Sequence, residues 1–148
     1  MNKTIIGSLA ACVIAVGTLA GCNRAEAPAT VAADVAEAQT DRAMSVADAQ
    51  ADQAKVQAET TIDAHSGDPD DRGDAIVDRA QAQYDTSLAK AKGDMDVATQ
   101  ACQALQGDAQ AICKKKADAA YESSKANAQM ALDVEKKRGD ATQKLDNH

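Results

Sequence analysis

The sequence predicts an all-α, elongated protein of Ala-rich helices, ending in a disulfide-stapled antiparallel αα-hairpin with coiled-coil-like packing. Three observations predict it. Alanine supplies 35 of the 148 residues. Apolar positions recur at helical spacings of three, four and eleven. Two cysteines flank a Gly-Asp pair at nearly equal distances. Large side chains are scarce: Phe and Trp are absent, and beyond Cys22 only 19 residues are Val, Ile, Leu, Met or Tyr. So few cannot offset the ordering entropy of a compact globule, about 1–2 kcal/mol per residue. An enzyme with a deep pocket is therefore not expected.

Residues 1–21 read as a signal peptide. Lys3 precedes an apolar stretch from Ile5 to Ala20, the layout of a secretory signal. That stretch is shorter than the roughly 20 residues that span a bilayer. It ends in Leu19-Ala20-Gly21-Cys22, which resembles the lipobox of bacterial lipoproteins. The resemblance implies recognition of Leu19, Ala20 and Gly21 by signal peptidase II. It also implies a covalent lipid on Cys22, and no other cofactor is expected. Three acyl chains, at about 0.8 kcal/mol per buried methylene, anchor such a chain almost permanently. Asn23 rather than Asp follows the cysteine, which implies the periplasmic face of the outer membrane rather than the inner one. Cleavage would leave 15 basic against 23 acidic residues. That balance disfavours nucleic acid and leaves membrane attachment to the lipid.

The remaining elements follow in order. Residues 22–29 hold Pro28 and read as a lipidated N-terminus and tether. Thr30 is placed to cap an Ala-rich helix over 30–64. Ala32, Ala36, Ala43, Ala47, Ala54 and Ala58 form its apolar stripe, and Val35 and Val46 stand eleven apart. An eleven-residue period is 3.67 residues per turn and suits a nearly straight helix. Residues 65–73 collect turn formers and read as an acidic linker. The region 74–148 predicts the hairpin, with its turn at 107–108. Its first arm carries a heptad stripe of Val77, Gln81, Tyr84, Leu88, Ala91, Met95, Ala98, Cys102 and Leu105. The second continues through Cys113, Ala117, Ala120, Ser124, Asn127, Ala131, Val134, Arg138, Ala141 and Leu145, with fraying expected from Lys136 onwards. Gly107 suits a helix stop and Asp108 the next helix's cap.

With Cys12 in the signal and Cys22 acylated, Cys102 and Cys113 remain. Folded at Gly107-Asp108 they face each other, and export exposes them to oxidising conditions, so a disulfide is expected. Their spacing is not that of a CxxC redox motif, and no histidine stands nearby for a zinc site.

The run from Ala101 to Ala117 holds a C-x-x-L-x-G-D-A-x-x-x-C element between Ala/Lys-rich helices. Over about residues 74–130 it resembles small proteobacterial envelope proteins described as TolA-like, a resemblance that implies shape and location but no activity. The lipobox, tether and helix are also partly similar to murein lipoprotein. That family's C-terminal lysine is absent, since the chain ends Lys144-Leu145-Asp146-Asn147-His148, so its covalent link to peptidoglycan does not carry over.

Other motifs do not rise to sites. Counted from Asp68, an EF-hand loop would place Arg72 and Arg79 at liganding positions, so the acidic run reads as a solvated turn and no metal is expected. Arg72-Gly73-Asp74 is a tripeptide without supporting context. Histidine occurs only at His65 and His148, too few for a nucleophilic triad. The expected role is a structural or interaction module of the cell envelope. Its expected partners are the membrane through the lipid, an envelope protein or peptidoglycan, and a second copy of the chain. The alternative is a partly disordered, hydrophilic stress-protective protein, suggested by the eleven-residue spacing and a mean hydropathy of −0.41.

Overall fold

The structure is a computed structural model that describes residues 25–65 and 68–144. Helix α1 spans Pro28–Asp63, α2 spans Pro69–Ala101, a 3-10 turn covers Cys102–Ala104, and α3 spans Gly107–Lys144. At 1.5 Å per residue each long helix extends about 50 Å.

The helix ends follow local chemistry, and several differ from the expected boundaries. Pro28 opens α1 behind Ala27, so Thr30 lies inside the first turn; proline at the first helical position needs no N–H partner there. Pro69 plays the same part for α2. Asp68 is the true cap, its carboxylate accepting a 2.9 Å bond from the Asp70 N–H, with Asp70 and Asp71 in the first turn. Acidic groups at a helix N-terminus are stabilised by the helix dipole. The acidic run therefore starts a helix, and the linker between α1 and α2 is shorter than expected. The second bend falls at Leu105-Gln106, two residues before the expected turn. Gly107 enters α3 at φ +54°, a left-handed conformation that only glycine adopts without strain. Asp108 sits in the first turn of α3 rather than before it. No fraying occurs from Lys136: α3 continues to Lys144 with Gly139 buried.

α2 is the central helix. α1 and α3 each pack antiparallel on it, and among the described residues no Cα of α1 lies within 8 Å of α3. Side-chain position explains the open layer. Toward α3, α2 presents Gly73, Val77, Ala80, Tyr84 and Cys102. Toward α1 it presents Arg79, Ala82, Thr86 and Gly93. Several of the second set follow members of the first by two residues, as 79 follows 77, 82 follows 80 and 86 follows 84. Two residues turn a helix by about 200°, so the two neighbours occupy nearly opposite sides.

All three packing seams repeat every eleven residues. In α1 the inward series is Val31, Val35, Ala38, Arg42, Val46, Ala49, Gln53, Val56 and Thr60, each buried or half-buried. The expected alanine stripe at 32, 36, 43, 47, 54 and 58 is exposed throughout, one or two residues away from the seam, or about 100–200° around the helix. In α2, Ala80, Ala91 and Cys102 are buried and eleven apart, whereas Gln81 is exposed. In α3 the seam runs through Cys113, Ala117, Tyr121, Ala128, Leu132, Glu135 and Gly139. The heptad positions after Ala117, from Ala120 to Ala141, are all exposed. From Ala117 the heptad steps three residues to Ala120 where the seam steps four to Tyr121, and it stays off the seam from there.

Small residues bring the backbones together. A Cβ on Gly139 would lie 2.8 Å from the Gly73 carbonyl oxygen, and one on Gly93 would lie 2.7 Å from the Cβ of Arg42. Arg42 also pairs with Asp94 at 2.5 Å, but both side chains are partly exposed, and such pairs contribute less than about 1 kcal/mol. The disulfide closes the α2–α3 end, with the Cα atoms of Cys102 and Cys113 5.7 Å apart and Cys102 only 1% exposed.

At the opposite end a polar contact ties α1 to α2. The Arg79 guanidinium donates from Nε to Thr60 Oγ1 and from Nη2 to the Thr60 carbonyl, both at 2.7 Å. Thr60 is 4% exposed, and its hydroxyl donates onward to the Val56 carbonyl. The cation thus also meets the negative end of the α1 dipole. Thr60→Val keeps the shape and removes the hydroxyl, and it is expected to cost about 1–2 kcal/mol. A chemical-denaturation midpoint equal to the parent's would refute that contact.

Candidate functional site

The features available for function are the faces of this layer and its two ends. The seam position defines the rest of α1. One residue before seam positions stand Asp34, Glu37, Asp41, Asp48, Asp52 and Glu59, and Asp63 continues the row; these are all the acids of the helix. They line an open groove between α1 and α2, in two stretches of about 880 and 430 Å³. Asp78, Asp85 and Asp96 of α2 face them, and Arg42 and Lys92 are the only cations in the lining. The groove is a negative field along one side of the layer, suited to attracting cationic groups.

Two residues before seam positions lies the outer edge of α1: Ala29, Ala33, Ala36, Thr40, Met44, Ala47, Ala51, Ala54, Ala58 and Ile62. None is charged and all are exposed, Met44 by 54% and Ile62 by 77%. The outer edge of α3 lies two residues after its seam at Lys115, Ala119, Ser123, Met130, Val134 and Lys137, and continues through Ile112 and Ala126. These are also exposed, Met130 by 59%. Charge divides between the edges. α1 has seven acids against two bases, a net of −5, and α3 has six against eight, a net of +2.

The ends differ as well. The backbone N–H of Glu26 donates to the Gln103 carbonyl at 3.2 Å. This brings the segment before α1 to the disulfide end, so that both lie at one pole of the layer. At the other pole His65 Nδ1 lies 2.7 Å from the Thr61 carbonyl. Arg72-Gly73-Asp74 sits within α2, where buried Gly73 packs on Gln143, whose Nε2 donates to Asp74.

Of the residues singled out in the sequence, Cys102 and Cys113 are joined. Leu19, Ala20, Gly21 and Cys22 lie outside the described residues, as do Leu145 and His148. Among the described residues no group of three or more His, Cys, Asp or Glu is placed to hold a metal ion, and no helix is long and apolar enough to cross a membrane. The two outer edges escaped the sequence analysis. Their signal is the absence of acidic residues at eleven-residue spacing, which is visible only once the seam is known.

No family model, curated protein or solved structure matches this chain.

Proposed function

We propose that the chain is a lipoprotein of the bacterial envelope, held by a lipid on Cys22 at the periplasmic face of the outer membrane. There its helical layer acts as a spacer and interaction module. The observation that carries the second half is the outer edge of α1, a helix face about 50 Å long, free of charge and without a partner in the layer. A solitary solvated helix places charge around its outer face, whereas this one keeps every acid on the groove side. The lipobox and Asn23 support the anchor. The Glu26–Gln103 bond supports attachment by the disulfide end, because Cys22 precedes Glu26 by only four residues. The far pole would then stand about 50 Å from the bilayer.

Two measurements test this. Mass spectrometry of the chain from its producing cells is expected to find an acylated Cys22 at the N-terminus; an unmodified cysteine would remove the anchor. A photo-crosslinker at Ala51, used in whole cells, is expected to capture a protein or peptidoglycan partner, and none at the α1 edge would remove the module. Circular dichroism separates the stress-protective alternative, in which helix would form only on drying.

A further inference from the structure

We infer that the outer edge of α3 docks on the outer edge of α1 of a second copy, extending the layer sideways. This names a partner for the module proposed above and rests on it only for a shared membrane orientation. The register comes first. α2 already packs through two faces set two residues apart, and the outer edge of α3 stands in that same relation to its own seam. α3 therefore offers a second face of the kind that α2 uses to receive α1. It carries Ala119, Ala126 and Met130, all exposed.

Orientation comes next. Each outer helix is antiparallel to α2, so α1 and α3 run parallel and their ends are level. Thr86 of α2 contacts Ala49 and Gln53 of α1, while the neighbouring Tyr84 and Ser87 share a groove with Ala128 and Leu132 of α3. Ala51 and Met130 thus lie at the same height. A copy displaced sideways without rotation sets α3 beside the next α1 over their whole lengths, with both N-terminal segments at the same pole.

Charge selects this pairing over the alternatives. Joining two α1 edges brings together helices of net −5, and joining two α3 edges brings together helices of net +2. The α1–α3 contact sets the uncharged edge of a helix of net −5 against an edge whose charged members are Lys115 and Lys137. Lys115 and Lys137 on the α3 edge fall near the heights of Glu37 and Glu59, which flank the α1 edge. A surface that receives a different surface of the next copy does not close after two chains, so the product is an open row rather than a symmetric dimer.

The test uses full-length chains produced in cells, carrying Ala51→Cys or Met130→Cys and labelled to differ in mass, with the native disulfide retained. Mixed and treated with a short thiol crosslinker, they are expected to give the 51–130 product at least ten-fold above either like-with-like product. Raising the salt should reduce it, since screening weakens opposite-charge pairing. Ala126→Glu in the Met130→Cys chain is expected to abolish it without changing helicity. Dominant 51–51 or 130–130 products, or no product in any mixture, would overturn the inference. An unmodified Cys22 alongside the 51–130 product would remove the anchor and leave this association standing. Capture of a different protein at Ala51 without that product would remove this association and leave the interaction module standing.

Discussion

Replacing Cys102 and Cys113 together with alanine is expected to lower stability by about 3 kcal/mol. The two are eleven residues apart, and closing a loop of that order removes about this much from the unfolded chain's freedom. The loss is large against the roughly 5–15 kcal/mol that a domain retains, because this one has few large side chains to share the load. It also falls where two connections meet, since Gln103 in the same turn accepts the bond from Glu26. A drop in melting temperature on the order of 10 °C should follow, read by far-ultraviolet circular dichroism. Reduction of the parent should reproduce it. An unchanged melt would mean that the helix seams alone hold the hairpin.

Gly139→Ala should destabilise the protein although it improves the helix. In an isolated helix that substitution gains about 1 kcal/mol. Here the added carbon would stand 2.8 Å from the Gly73 carbonyl oxygen and 2.8 Å from Val77 Cγ2. The first contact is backbone and cannot rotate away, so α2 and α3 must separate. Overpacking of this kind costs about 1–3 kcal/mol, and the net expectation is a loss of about 1 kcal/mol, growing from Ala to Val to Leu. Denaturant midpoints across the three variants measure it. A gain for Gly139→Ala would show that the helices do not approach so closely.

Much of the architecture was legible in the residues. Alanine content and apolar positions at helical spacing pointed to long helices, and the cysteine spacing pointed to the pairing that closes one end. The seams were less legible. Val35 and Val46 show the eleven-residue period in α1, yet counting its alanines leads to the exposed face, because alanine is as common outside this layer as within it. In α2 the heptad holds, with only Gln81 and Leu105 of its positions exposed, whereas in α3 it leaves the seam at Ala120. Polar residues such as Arg42, Gln53 and Glu135 occupy seam positions that a search for apolar residues passes over. The cap at Asp68 was hidden because acidic residues beside proline suit a loop and a helix start equally well.

The residue order by itself determined that this chain is helical, where its bends fall to within a few residues, and which thiols meet. Those properties depend on groups close in sequence: propensity, breakers and short spacings. Only tertiary structure decided that the three helices form an open layer instead of a closed bundle, which follows from two contact faces on α2 set nearly opposite each other. It also decided which alanines pack and which face solvent. An identical methyl group carries no mark of its side, so the choice rests on what the neighbouring helix places against it.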